Sequence, residues 1–225
     1  MIVADRKPLA EILTLVRHAG RILLVGCQEC VTVCLAGGER EVAELSLILR
    51  LARAQGRAQV DGPLEVITAT VHRQCDDEFL APLADQVANV DCVVSMSCGV
   101  GVQHMAAYFP HTWVVPALNT RFAGATIKQG LWEERCSLCG DCQLYRTGGI
   151  CPITRCAKSL LNGPCGGSQE GHCEISADIP CAWQQIYDHL RTMGKLELIE
   201  EIVCVKDWSR ARDGGLRRSV REDVS

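Results

Sequence analysis

The sequence predicts an α/β protein: a doubly wound, mainly parallel Rossmann-like sheet, followed by a cysteine-rich, metal-stapled C-terminal region. Three observations predict it. Between residues 21 and 118, short and wholly apolar runs alternate with segments of helical periodicity. Such strands, separated by helices, belong to a parallel sheet covered on both faces. Beyond Leu131, eight cysteines fall between Cys136 and Cys181 among many glycines and prolines. A segment with so few large apolar residues has a small core, so bonds to a ligand must supply much of its stability. Finally, the 225 residues suffice for one large or two small domains. The expected division is an α/β domain over residues 1–130 and a cysteine-rich region with a C-terminal helix over 131–225.

Each element can be justified in turn. PLAEILTLVRHAG reads as an amphipathic helix, with Leu9, Ile12, Leu13 and Val16 on one face. RILLVG is a strand, short and apolar, bounded by Gly20 and Gly26. GEREVAELSLILRLARAQG carries Val42, Leu45, Leu49 and Ala52 at helical spacing, and Gly56 closes it. LEVITATV is a strand rich in β-branched residues. DDEFLAPLADQV opens with acids, as a helix start should, although Pro82 requires a first turn or a kink. DCVVSMS is a third strand, GVGVQHMAAYF a short helix and TWVVPAL a fourth strand. In the second region, WQQIYDHLRTMGKLELIEEI resumes helical periodicity through Ile186, Leu190 and Met193 and is expected to pack on the main body. No internal repeat is visible.

Composition excludes several classes of function. A net charge of −4 argues against a duplex or an anionic membrane as the main partner. The basic tail SRARDGGLRRSVRED is mixed with acids and reads as a solvated terminus. No apolar run approaches the roughly 18 residues of a membrane span. The LVGC ending at Cys27 has the look of a lipoprotein signal, but its apolar core after Arg21 is shorter than the ~7 residues that secretion needs. The expectation is a cytoplasmic protein. There, 15 cysteines, an odd number in a reducing compartment, point to metal rather than disulfides. Cys92 and Cys204, each alone in an apolar run, read instead as small buried hydrophobes.

Parallel strands all finish at one edge of the sheet, where ligands bind. Cys27 ends the first predicted strand, Cys75 follows the second and Cys98 the third. Cysteines distant in sequence therefore converge on one rim, beside Cys30 and Cys34. The spacing C-x2-C-x3-C favours an iron–sulfur cluster. Cys98 is the preferred fourth ligand, because it opens a helix whose bare N–H groups can reach cluster sulfurs; Cys75 is the alternative and His72 a weaker one. A CxxC redox dithiol at Cys27 and Cys30 is a rival. GVGVQ lacks the third glycine of a dinucleotide fingerprint. Glu29 reads as a solvated or supporting carboxylate, and Asp76, Asp77 and Glu78 as a helix start. No Ser-His-Asp order or paired carboxylates indicate hydrolysis.

In the second region, Cys136, Cys139 and Cys142 form C-x2-C-x2-C, and Cys151 precedes Pro152. The bacterial ferredoxin pattern uses the same tight triplet with a Cys-Pro, its loop wrapping three corners of an iron–sulfur cube while a fourth ligand comes from farther along. Cys156, Cys165, Cys173 and Cys181 follow at about eight-residue intervals, which zinc tolerates equally. The expected cofactors are two [4Fe-4S] clusters, with zinc the alternative at one site.

The stretches GCQECVTVCLAGGEREV, RQCDDEF, SCGVGVQ, CAWQQIYDHL and, above all, CPITRCAKSLLNGPCGGSQEGHCE resemble the methylenetetrahydrofolate reductase C-terminal-type proteins. That family includes the small partner subunit of reductases in acetogenic and related anaerobic bacteria. The likeness runs from about Arg21 to Trp208. It implies an electron-relay subunit of one-carbon metabolism, the Wood-Ljungdahl methyl branch. Such a chain binds a flavin-containing methylenetetrahydrofolate reductase catalytic subunit and links it to an electron-donor complex. Folate and flavin would then lie in the partner, and this chain would be non-catalytic. The resemblance carries over cluster ligands at Cys27, Cys30, Cys34 and Cys98, and others between Cys136 and Cys181. For electrons to pass, the two cysteine regions are expected to lie near one another. A structural zinc scaffold and a free-standing dithiol oxidoreductase are the rival classes.

Overall fold

A computed structural model of the protein describes residues 1–56, 64–211 and 215–223. The chain opens with β1 (Ile2–Arg6), α1 (Leu9–Leu15) and β2 (Arg21–Cys27). The short turn α2 (Cys30–Val33) and the long α3 (Glu39–Ala54) follow, then β3 (Glu65–Val71). The segment containing Pro82 is not one helix. It is broken into α4 (Asp77–Leu80), a 3-10 turn over Ala81–Leu83 and α5 (Ala84–Val87), because proline cannot donate its missing N–H within a helix. Asp76 caps the start by accepting from the Glu78 N–H. After these come β4 (Cys92–Met96), α6 (Gly99–Tyr108) and β5 (Trp113–Pro116), then β6 (Leu118–Lys128) and β7 (Leu131–Cys136). The chain divides into two compact units, Met1–Trp132 and Glu133–Ser225.

The first unit is built on a parallel four-stranded sheet in the order β3-β2-β4-β5. β2 is its centre. Alternate residues of β2 bury to opposite faces, as a strand requires. Ile22 and Leu24 meet Val42, Leu45 and Leu49 of α3, with Ile12 and Val16 from α1. Leu23 and Val25 meet Leu80, Leu83, Val87 and Met105 on the other face. Both faces are therefore covered by helices. Chain order reverses between β2 and β4, so their C-terminal ends form the switch point where such sheets bind ligands. α3 begins with a Glu41 carboxylate that accepts the Gly38 N–H at 3.0 Å, and Gly56, at φ +64, closes the turn after it.

One part of this unit has no counterpart in the sequence reading: a second sheet, ordered β1-β6-β7, in which β1 and β6 run antiparallel. Val3 and Ala4 of β1 and Leu118 of β6 form one apolar cluster with Cys27, Val31, Cys34 and Ala36, against which Cys98, Phe122 and Trp132 pack. The second sheet thus lies over the cysteine rim of the first.

The second unit has little regular structure: a 3-10 turn over Leu144–Thr147, α7 (Pro152–Arg155), the two-stranded β8 (His172–Cys173) and β9 (Ser176–Pro180), α8 (Ala182–Met193) and α9 (Glu197–Glu200). The apolar stripe of α8, through Trp183, Ile186 and Leu190, is buried with Ile150, Cys156, Leu160 and Leu198. These apolar partners all belong to its own unit. Cys204 departs from expectation. It is exposed, because the apolar run around it forms no strand. No helix among the described residues is long and apolar enough to cross a membrane.

Candidate metal centres

At the rim, Cys27 is the last residue of β2 and Cys30 the first of α2; Cys34 directly follows α2, and Cys98 sits at the residue before α6. Cys27 and Cys34 are buried, Cys30 and Cys98 half-buried, and Cys75 exposed. Burial pushes the Cys27 thiol up, and the nearby Cys98 and Cys75 thiols push it further. Burial likewise raises Cys34, which has Cys30 as its neighbour. Cys27 and Cys34 share one packed cluster against which Cys98 rests, and Cys30 opens the turn between the first two. Apolar walls make a bare thiolate costly there, and a cationic centre would remove that cost.

Local structure fixes this edge. The Gln74 side chain is wholly buried. Its Nε2 donates to Val25 O at 2.9 Å and to Gly26 O at 3.1 Å, and its Oε1 accepts the Ser95 hydroxyl at 2.6 Å. Ser95 and Ser97 are joined at 2.8 Å. The loop bearing Cys75, the end of β2 and the loop bearing Cys98 are thereby tied together. Gly37 brings the cysteine loop back against β4, where a methyl group would press on Met96 O. Thr32 donates to Cys27 O at 2.7 Å. One expectation fails here: the Gly99 N–H is not bare, since it donates to Thr120 Oγ1 at 2.7 Å. His72 and Glu29 are engaged with each other at 2.8 Å.

The second unit divides its cysteines. Cys136, Cys139 and Cys142 share one loop, with Cys136 and Cys142 exposed. The Leu138 N–H donates to Cys136 Sγ at 3.3 Å, so this loop does turn a backbone donor toward a sulfur. Leu138 at φ +57 and Gly140 at φ +83 make the tight curl. Cys151 precedes α7, its Sγ directed at Thr154 Oγ1 at 3.6 Å. Cys156, Cys165, Cys173 and Cys181 instead line a single small hollow of about 10 Å³, which neither Cys151 nor the triplet lines. The Gly167 N–H holds the Cys165 thiol below its usual range, helped by Lys158. Lys158 and Glu174 pair beside them.

The NGPCGG segment that shapes this hollow has a physical account. Asn162 forms a reciprocal pair with Val203, accepting its N–H at 2.7 Å and donating to its carbonyl at 2.9 Å. Gly163 lies flat on the Trp183 indole, where any side chain would collide. Trp183 Nε1 in turn donates to Leu160 O at 3.0 Å. Gly166 takes φ +77, and Gly167 abuts Glu174.

Among the described residues, no three Cys, His, Asp or Glu side chains converge so as to hold a single metal ion. The residues nevertheless fit a thiolate-bound group on two further observations. The Trp132 indole nitrogen is buried without a hydrogen-bond partner, on a side chain packed against the rim cysteine cluster. The Ser168 hydroxyl is likewise orphaned, and Ser168 lines the four-cysteine hollow. Buried donors are rarely left unpaired, and sulfur atoms of a bound group would satisfy both. Sequence reasoning missed Gln74, Ser95, Ser97, Trp132 and Ser168. Only the serines left a signal: two hydroxyls at i, i+2 in an otherwise apolar strand end.

Residues 115–209 match the family model for the methylene-tetrahydrofolate reductase C terminal. That span includes all eight late cysteines and none of those at the rim. No curated protein and no solved structure matches the chain. Over residues 115–209, therefore, the chain is similar to the methylene-tetrahydrofolate reductase C terminal.

Proposed function

We propose that this chain is an iron–sulfur electron-transfer subunit. It partners a flavin-containing methylenetetrahydrofolate reductase catalytic subunit and relays electrons to it from a donor complex. The observation that supports the reading is the packing of Cys27, Cys34 and Cys98 in one cluster at the switch point of a parallel sheet, with Cys30 on the turn between them, in a chain whose residues 115–209 match the reductase C-terminal model. A [4Fe-4S] group would supply single-electron transfer without proton chemistry. Cys27, Cys30, Cys34 and Cys98 would hold it at the rim, with Cys75 the alternative fourth ligand. In the second unit, Cys136, Cys139 and Cys142, with Cys151, would hold another.

The chain's own residues do the rest. Val3, Leu118, Phe122 and Trp132 exclude water from the rim, which favours the less negative oxidation state and lowers the potential. Trp132 Nε1 would donate toward sulfur and oppose that shift. Gln74, Ser95 and Ser97 hold the ligand loops in register. Zinc at one site is a second reading, favoured at the hollow by its four cysteines, since structural zinc sites are closed four-ligand sites.

The test is electron delivery. The reduced chain, mixed without oxygen with the oxidised flavin subunit, is expected to bleach the flavin. Cys27→Ala or Cys98→Ala should slow that step at least about tenfold, the scale on which loss of a metal site's support acts. Equal bleaching by metal-stripped chain would refute the relay.

A further inference from the structure

The C-terminal segment grips the C-x2-C-x2-C loop at three successive places. Arg217 Nη1 donates to Leu138 O at 3.0 Å while also holding Arg210 O at 2.8 Å. Gly140 rests on the Arg210 backbone, where a methyl group would collide. Lys206 Nζ donates to Asp141 O at 3.1 Å and meets the Asp141 carboxylate at 3.3 Å. Leu138, Gly140 and Asp141 are three of the four residues interleaved with Cys136, Cys139 and Cys142. Arg210 and Arg217 stay exposed, as a solvated tail would be, yet the Arg217 side chain is engaged; Arg212, Asp213 and Gly214 lie outside the described residues.

Lys206 is the unusual member. Its side chain is fully buried, its ammonium 5.5 Å from the centre of the Trp208 ring. Taking an ammonium out of water is costly unless negative charge faces it. The Asp141 carboxylate supplies part of that charge, but it is 39% exposed and also accepts from Gln143 Nε2 at 3.2 Å. Asp207, the next residue, also faces the ammonium electrostatically, but it is exposed; on the loop itself the three cysteine sulfurs are the further source of negative charge. As thiolates they would flank Asp141 on both sides.

We propose that Lys206 is a positioning residue for a thiolate-bound group on this loop. It pins the loop through Asp141, and its fixed positive charge offsets the charge of the ligating sulfurs, raising the reduction potential of the group held there. Arg217 is the second point of the same clip. The inference rests on the iron–sulfur reading of the loop and adds the residues that close and tune it.

The experiment uses the whole chain, prepared without oxygen, as parent, Lys206→Met, Lys206→Arg and Arg217→Gln. Its readouts are iron and sulfide content, release of iron to a chelator, and the midpoint potential of each centre followed by electron paramagnetic resonance. Lys206→Met should lower the potential of one centre and leave the other unmoved. It should also speed iron release about tenfold, the scale of a supporting-residue loss. Lys206→Arg, which keeps the charge, should restore the potential. Arg217→Gln breaks the exposed point without uncovering a buried charge; it should speed release while the potential stays near the parent's. Should Lys206→Met fail to fold, Arg217→Gln decides the clip: release at the parent rate overturns it. A loaded Lys206→Met variant with unchanged potential and unchanged release overturns this inference alone. A parent that carries no iron on this loop overturns the relay reading as well.

Discussion

The two cysteine regions solve the same problem with opposite means. At the rim, the thiols hang from a parallel sheet whose core residues Ile22, Leu23, Leu24 and Val25 are fully buried. Their places are set by strand ends and by the Gln74–Ser95–Ser97 tie, whether or not a group is bound. In the second unit, a small apolar cluster around Trp183, Ile186 and Leu190 carries long loops bearing eight cysteines. There, on the proposed reading, a bound group would organise the protein. The comparison teaches that a sheet edge places side chains from separate segments by topology, whereas a region with so small a core would need a bound group to do the same.

The strongest way to break this contrast is to remove metal. Chelation is expected to abolish hydrogen-exchange protection across the second unit while β2 and β4 stay protected, since a structural metal contributes on the order of 10 kcal/mol to folding. Equal protection of both units after stripping would end the distinction. Next in size, Trp183→Ala removes the ring on which Gly163 lies and should cost about 3–5 kcal/mol, read by urea denaturation as loss of the second unit first. At the rim, Gln74→Leu leaves the Val25 and Gly26 carbonyls without their side-chain donor and Ser95 without its acceptor. The expected cost is about 1–3 kcal/mol for each group left unsatisfied, with release of rim iron accelerated more than release from the second unit.

The smallest effect concerns cysteines outside either site. Burial, with Asp91 beside it, pushes the Cys92 thiol up to about 12. Its folded value lies above its unfolded one, so its contribution to stability is complete below about pH 8.5 and is lost as pH rises toward 12. At pH 8, Cys204 should therefore be alkylated readily and Cys92 only after unfolding, as peptide mass spectrometry would show. Alkylation of Cys92 in the folded chain would place it outside the core.

Much of the first unit was legible because its signals are local. RILLVG and DCVVSMS are apolar on both faces, and Val42, Leu45 and Leu49 recur at helical spacing. That parallel strands all finish at one edge then points to the rim, although the order β3-β2-β4-β5 needed coordinates. The β1-β6-β7 sheet was not legible. β1 is five residues long and half polar, and its partner β6 lies more than a hundred residues away: Arg6 pairs with Leu118, a pairing with no local periodicity to announce it. The same holds for the tail. Arg217 finds Leu138 through a fold that charge patterning cannot express. For the late cysteines, spacing pointed to metal, yet the separation of the Cys156, Cys165, Cys173 and Cys181 hollow from the Cys136–Cys142 loop needed coordinates.

The central claim is that thiolates of both regions bind iron and sulfide. The most direct measurement is a count of iron, zinc and acid-labile sulfide on chain purified without oxygen, with its electron paramagnetic resonance spectrum after reduction. The account predicts about eight irons with matching sulfide, as two [4Fe-4S] clusters require, and two distinguishable signals. A colourless chain with zinc alone, still supporting full-rate reduction by the flavin subunit, would contradict it.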